Sequence, residues 1–322
     1  MTRIIITGGS GFIGTNLLDS LHNDGYSILN IDIKEPLDKK HLSLWKQTNI
    51  LDYLPLEAAI LNFDPEIIIH LAAVTDLNGN TLSYYDANIL GTQNIIKIAA
   101  KAVSLKKVLY TSSMYVCQPG FIPQDFDSYK PHTVYGESKV EGELLVKKIK
   151  NVKYEWVIIR PTSIWGPWFN IPYIDFFNVV YQAKYFDFGK ACTKTYGYVE
   201  NTVFQIRSLM DANTVNGKTF YLGDLPPIPI TEWANEISME IHKKPIRKIP
   251  FFLIQVAAKI GDVLSVIKVK FPITSFRLSN MTTDNILPLE NLYEITGSPP
   301  ITRNDGVKKT LEWLKKNKAY RY

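Results

Sequence analysis

Cysteine is nearly missing from this chain. Cys117 and Cys192 are the only two in 322 residues, too few for a disulfide framework and without the paired spacing of a zinc site, so both read as small hydrophobes. No leader precedes the first apolar segment: Met1 runs almost directly into Ile4-Ile5-Ile6, and a cytoplasmic location is the default expectation. No apolar run reaches the roughly 20 residues of a spanning helix. Phe251 to Ile267 comes nearest, but Lys259 and Asp262 interrupt it, leaving a buried or surface-docking amphipathic helix. Charge of one sign is equally scarce, with a net of +5. The one basic cluster, Lys308, Lys309, Lys315, Lys316, Lys318 and Arg321, reads as a solvated helix face rather than a nucleic-acid or membrane patch. Repeats and low-complexity linkers are absent as well.

What is present is alternation. Short β-branched runs at Arg3–Thr7, Ser27–Ile31, Glu66–His70, Lys107–Ser112 and Tyr154–Arg160 are separated by helical patterns at Gly11–Asp24, Tyr53–Asn62, Tyr84–Val103 and Thr133–Lys150. Strands and helices in that order predict an α/β fold with a doubly wound parallel sheet and right-handed crossovers. From Pro161 the alternation weakens, and Trp165-Gly166-Pro167-Trp168-Phe169 suggests binding loops. The division expected is 1–161 for a nucleotide-binding domain and 162–322 mainly for a smaller C-terminal lobe closing over it. Residues at about 200–224 return to the first domain, with Lys218–Leu222 as a further strand of its sheet.

Thr7-Gly8-Gly9-Ser10-Gly11-Phe12-Ile13-Gly14 follows the first strand and opens the first helix. Glycine lets the backbone turn sharply and approach a pyrophosphate, which then faces N–H groups at a helix N-terminus. Asp32 ends the second strand, where a carboxylate accepts the adenosine ribose hydroxyls and repels a 2′-phosphate. A Rossmann-type site for NAD follows, favoured over NADP despite Lys34 nearby.

Tyr135 and Lys139 stand at i and i+4 on the helix after Pro131. A phenol with an ordinary pKa near 10 needs a neighbouring cation before it accepts a proton at neutral pH, and Lys139 would supply it. Alone, such a pair is usually a surface pair. Thr111-Ser112-Ser113 follows the fourth strand, at the sheet edge where open α/β folds bind ligands. A hydroxyl there can donate to a substrate oxygen, or simply cap a turn; Ser113 is taken as the active one.

These segments, with His70-Leu71-Ala72-Ala73, Asn88-x-x-Gly91-Thr92 and Arg160-Pro161, resemble the extended short-chain dehydrogenases of the NAD-dependent epimerase/dehydratase family over nearly the whole chain. The resemblance implies that Gly8, Gly11, Gly14 and the backbone of Phe12 and Ile13 meet the pyrophosphate. Leu71, Ala72, Ala73 and Thr111 would line the cofactor groove, Asn88 would steady the third and fourth strand ends, and Lys139 would bind the nicotinamide ribose beside Pro161 and Ile164. Asn49 and Ile50 stand where an acidic residue often lies beside the adenine.

The family commonly acts on nucleotide-linked sugars, so Ser113, Met114 and Tyr135 would face a sugar, with Lys194 and, more loosely, Arg277 on its diphosphate. Dehydratases usually carry Thr-Asp-Glu where this chain has Thr111-Ser112-Ser113, which disfavours removal of water. Arg160-Pro161-Thr162-Ser163 and Cys117-Gln118 depart from the common sugar 4-epimerase pattern. Ile249-Pro250-Phe251-Phe252 and Gly306-x-x-x-Thr310-x-x-Trp313 also resemble the 3β-hydroxysteroid dehydrogenase-like branch, making a sterol or lipid alcohol the alternative substrate. A non-catalytic NAD-binding sensor is the alternative of another class, although the tyrosine and lysine it would lack are both present. Relatives often dimerise through a helix pair, here Tyr84–Val103 and Thr133–Lys150, and a homodimer is expected. Neither nucleic acid nor a membrane span is.

Overall fold

The computed structural model describes residues 1–121, 123–190, 192–266, 274, 275, 278 and 282–317. Two compact units emerge: Met1–Trp168 with Gly197–Asp224 and Pro288–Ile301, and Phe169–Tyr196 with Leu225–Leu287 and Thr302–Tyr322.

The first unit is built on a seven-stranded parallel sheet. Its strands are β1 (Arg3–Thr7), β2 (Ser27–Asp32), β3 (Trp45–Gln47), β4 (Ile67–His70), β5 (Lys107–Thr111), β6 (Glu155–Pro161) and β7 (Lys218–Leu222), in the order β7-β6-β5-β4-β1-β2-β3. Helices α1 (Phe12–Asn23), α2 (Tyr53–Phe63), α3 (Thr92–Ala99), α4 (Val134–Lys147), α6 (Val199–Asp211) and α9 (Glu290–Thr296) belong to the same unit.

Continuous Ile runs suit such strands because both faces are covered. Successive side chains point to opposite faces. Ile4 and Ile6 accordingly pack with Leu17, Leu21 and Ile206 from α1 and α6, whereas Ile5 and Ile68 pack with Leu56, Ile60 and Ile95 from α2 and α3. The order reverses between β1 and β4, which places a crevice at the carboxyl ends of those strands.

Most elements fall where the sequence predicts them, and Lys218–Leu222 does return to the sheet, in parallel register with β6. Two differ. Tyr84–Val103 is not one helix: a 3₁₀ turn at Leu82–Tyr85 and a π-turn at Ala87–Gly91 precede α3. The irregularity accompanies Asn88, whose side chain bonds the backbone of Val74 instead of facing solvent. Edge strand β3 is only three residues long and largely polar, too short for a periodic signal.

The second unit contains α5 (Tyr173–Tyr181), α7 (Ile230–His242), α8 (Phe251–Val266) and α10 (Arg303–Lys316). Its core is aromatic: the Trp233 ring lies 4.7 Å from both Phe176 and Tyr196. Arg303 joins α10 to α7 through Glu232 and Glu236. Lys308, Lys309, Lys315 and Lys316 form an exposed face of α10, while Lys318 and Arg321 lie outside the described residues. Among the described residues, no helix is long and apolar enough to cross a membrane.

Candidate active site

The turn after β1 is built on glycine because nothing larger fits. Gly8 sits at φ +75°, and a Cβ there would come within 2.5 Å of the Ala72 amide nitrogen. At Gly14 it would meet the Gly8 carbonyl oxygen at 2.5 Å. The chain closes with Gly11 N–H donating to Gly8 O at 3.1 Å and enters α1 at Gly11, an N-cap with no side chain to fill the helix end. The first-turn amides of Phe12 and Ile13 stand at the positive end of the helix dipole, where a pyrophosphate is stabilised.

Asp32 is held beside this turn. Its Oδ2 accepts the Ser10 N–H at 3.1 Å and its Oδ1 the Lys34 N–H at 3.0 Å. Each carboxylate oxygen keeps a second lone pair with which ribose hydroxyls can be bound.

On the other side of the switch in strand order, Thr133 caps α4 by accepting the Gly136 N–H at 3.0 Å. The helix thus begins so that Tyr135 and Lys139 share a buried face. Lys139 Nζ donates to the Thr111 carbonyl at 3.0 Å, tying α4 to the end of β5, and lies 6.0 Å from the Tyr135 ring centroid. Ser113, whose Oγ accepts the Tyr115 N–H at 3.2 Å, stands close enough to Tyr135 to favour its phenolate. Burial pushes the Tyr135 phenol up to about 12, with Ser113 working against it. That disfavours the phenolate by on the order of 3 kcal/mol, so a cation must compensate. Burial lowers Lys139 to about 8, opposed by Glu143, and the ammonium persists at neutral pH.

Several residues that sequence reasoning did not single out support this pair. The Tyr85 and Tyr115 rings lie 5.9 and 5.7 Å from that of Tyr135. Glu143 continues the i, i+4 series of Tyr135 and Lys139, and that spacing was the signal available for it. Its carboxylate is buried against Arg160, which donates Nε to Oε1 and Nη2 to Oε2, each at 2.8 Å. Arg160, noted only as part of a motif, therefore fastens α4 to β6. His70 is buried between the Thr7 and Thr92 hydroxyls at 2.7 and 3.3 Å, and burial, aided by the Lys139 charge, lowers it to about 3. It is a neutral link between β1, β4 and α3.

The other expected residues divide. Leu71 and Ala72 hang on Thr7 through their N–H groups, at 2.9 Å to its carbonyl and 3.4 Å to its hydroxyl, and Ala73 follows half-buried. Asn88 joins Val74 after β4 to Ser138 on α4, its amide donating to Ser138 Oγ at 2.9 Å, rather than bonding strand ends directly. Pro161 ends β6, Ile164 is buried just beyond it, and Met114 Sδ accepts from Ser163 Oγ at 3.9 Å. Asn49 spends its Oδ1 on the Leu51 N–H at 3.0 Å, and Ile50 is packed into the core. Lys194 belongs to the second unit, in a short strand paired with Ile228–Pro229. Arg277 lies outside the described residues. No group of three or more His, Cys, Asp or Glu among the described residues could hold a metal ion.

The model of the NAD-dependent epimerase/dehydratase family matches residues 4–178, more than half of the chain, from within β1 to within α5. The chain belongs to that family. It is an NAD-dependent enzyme of the extended short-chain dehydrogenase type. Among its relatives is the Escherichia coli O157:H7 N-acetyl-α-D-glucosaminyl-diphospho-ditrans,octacis-undecaprenol 4-epimerase, 24% identical over 97% of this chain and 95% of its own length. The UDP-glucose 4-epimerase of Vibrio cholerae is 27% identical over 74% of this chain and 76% of its own. A 3β-hydroxysteroid dehydrogenase/Δ5→4-isomerase of Mycobacterium tuberculosis is 28% identical over 73% and 68%. The Bacillus cereus UDP-glucuronic acid 4-epimerase, solved with NAD, superimposes with a TM-score of 0.75 at 19% identity, covering 99% of this chain and 100% of that one, a likeness of fold.

Proposed function

We propose that this family member oxidises a ring hydroxyl of a nucleotide-linked sugar and returns the hydride to the resulting ketone, so that the net reaction is epimerisation. The buried cluster of Tyr135, Lys139 and Ser113, on α4 and just after β5, carries the hydride-transfer part of this reading, and the two 4-epimerase relatives support the return step. NAD supplies hydride acceptance and return. The glycine turn has room only for backbone at Gly8, the N-cap of α1 has no side chain, and the Asp32 carboxylate lies beside both; a dinucleotide fits these features. In this reading Gly8, Gly11, Gly14, Phe12 and Ile13 hold its pyrophosphate and Asp32 its ribose. Leu71, Ala72, Ala73, Thr111, Pro161 and Ile164 line the groove.

Tyr135 accepts the hydroxyl proton once the Lys139 ammonium offsets the cost of burying a phenolate. Ser113 steadies the oxygen on which carbonyl character develops. Met114 faces the sugar. A homodimer paired through α3 and α4, in the cytoplasm, completes the proposal. The Escherichia coli relative supports a sugar diphosphate on another carrier as substrate, since its name specifies undecaprenol. The steroid dehydrogenase relative supports a sterol alcohol, over a smaller share of the chain.

Mass spectrometry of the undenatured protein, then of its acid extract, after incubation with UDP-, GDP-, CDP- and dTDP-sugars and an undecaprenyl diphosphate sugar, tests the reading. Retained NAD with an isomeric sugar and no net NADH is the expected result. Exchangeable NAD with stoichiometric NADH makes the enzyme a dehydrogenase, and no sugar turnover moves the substrate to a sterol or lipid alcohol.

A further inference from the structure

Helix α8 is apolar on two sides. Ile254 and Ala258 face inward and pack with Phe188 and Leu278. Phe252, Leu253, Val256, Ile260 and Val263 are exposed, Phe252 to 61% and Val263 to 68%. At one residue per 100° these five fall within about 100° of arc on the side opposite Ile254 and Ala258. They form a continuous stripe, and exposed apolar stripes of this kind mark contact surfaces.

The surroundings of the stripe identify what it contacts. Exposed Lys243, Lys244, Arg247, Lys248 and Lys259 lie on or just before α8, and Lys190 sits over the Phe251 ring at 4.7 Å. Across residues 243–266 five cations meet a single acid, Asp262, whose Oδ1 is engaged by the Ser275 N–H at 2.9 Å, and of the five Lys243 also pairs with Glu240 at 3.8 Å just before the stretch. That stretch carries a net +4, or +3 once Glu240 is counted with Lys243. A second copy seated on the same face would bring the two cationic borders together, since a two-fold interface pairs a patch with itself. An anionic bilayer surface satisfies both features, because apolar side chains enter the headgroup boundary while lysines meet the phosphates. Among the described residues α8 has 16, too few to span.

We propose that α8 docks this protein on an anionic membrane surface, through the Phe252–Val263 stripe and its basic border. The test is sedimentation of the full-length protein with vesicles of phosphatidylcholine alone and of phosphatidylcholine with phosphatidylglycerol. Expected is pelleting with the anionic vesicles, weakened by salt and reduced about tenfold or more in the F252E/V256E double variant. That variant should keep the melting temperature and NAD affinity of the native protein, and V103E, on an exposed apolar residue of the first unit, should pellet as the native protein does. Failure of the native protein to pellet overturns the proposal, as does equal pelleting of the double variant. A native dimer that F252E/V256E dissociates, without vesicle binding, would assign the stripe to a second copy.

Discussion

Arg160 and Glu143 face each other in a two-point ion pair with 0% and 1% of their side chains exposed. Glu143 is one helical turn beyond Lys139, so the pair anchors the helix that carries the acid/base residues. Removing Glu143 leaves the Arg160 charge buried without a carboxylate, and removing Arg160 leaves buried Glu143 only the Tyr129 hydroxyl at 2.8 Å and Lys147 at 3.8 Å. E143A and R160A are each expected to lose about 3–5 kcal/mol of stability in denaturant titrations. A well-packed apolar double replacement such as E143M/R160M should recover part of that loss. A double variant as unstable as the sum of the singles would refute the pairing as the main role of these residues.

Tyr135→Phe keeps the ring among Tyr85 and Tyr115 and removes only the hydroxyl. Turnover should fall by about 10²- to 10⁴-fold, while NAD affinity, measured by calorimetry, stays near native. Loss of cofactor binding in step with turnover would mean that the phenol acts structurally.

Asp32→Asn removes the negative charge beside the glycine turn. The ratio of NAD to NADP affinity should drop by about tenfold or more, since the 2′-phosphate is no longer repelled. An unchanged ratio would place cofactor discrimination elsewhere.

Asp224 is half-buried while accepting from the Tyr198 N–H at 2.7 Å and the Asn201 amide at 3.0 Å. Burial raises its carboxyl to about 7, opposed by those two bonds. The folded state therefore holds a proton that the unfolded chain releases near pH 4, and stability contributed by this group falls as pH rises from about 4 to about 7. The loss is on the order of 4 kcal/mol at most. Denaturant midpoints of the native protein and D224N should converge or cross over that range; parallel profiles would exclude Asp224 as the titrating group.

The sheet was legible because its strands are buried on both faces and therefore read as unbroken runs such as Ile4-Ile5-Ile6. That Tyr135 and Lys139 share one side of a helix was legible from their i, i+4 spacing, whereas that this side is buried is not, since such a pair alone reads as a surface pair. What escaped was either short or decided by distant partners. The three residues of β3 are too few to carry a period, and the break in Tyr84–Val103 depends on Asn88 reaching Val74 and Ser138. Arg160 reads as an ordinary strand cation until Glu143, 17 residues earlier, is seen against it. Lys194 has the right charge for a diphosphate, yet its place relative to Tyr135 is a matter of long-range packing that no local pattern encodes.

The parallel pairing of β7 with β6 joins Lys218–Leu222 to a strand that ended at Pro161. During synthesis the sheet must wait for the second half of the chain before that margin is closed. Until then Val157, Ile158 and Ile159 present an open, sticky border of unpaired backbone. A nascent or truncated protein stopping short of Lys218 is thus a natural client for chaperones and a seed for aggregation, although its nucleotide turn and acid/base helix have already been made.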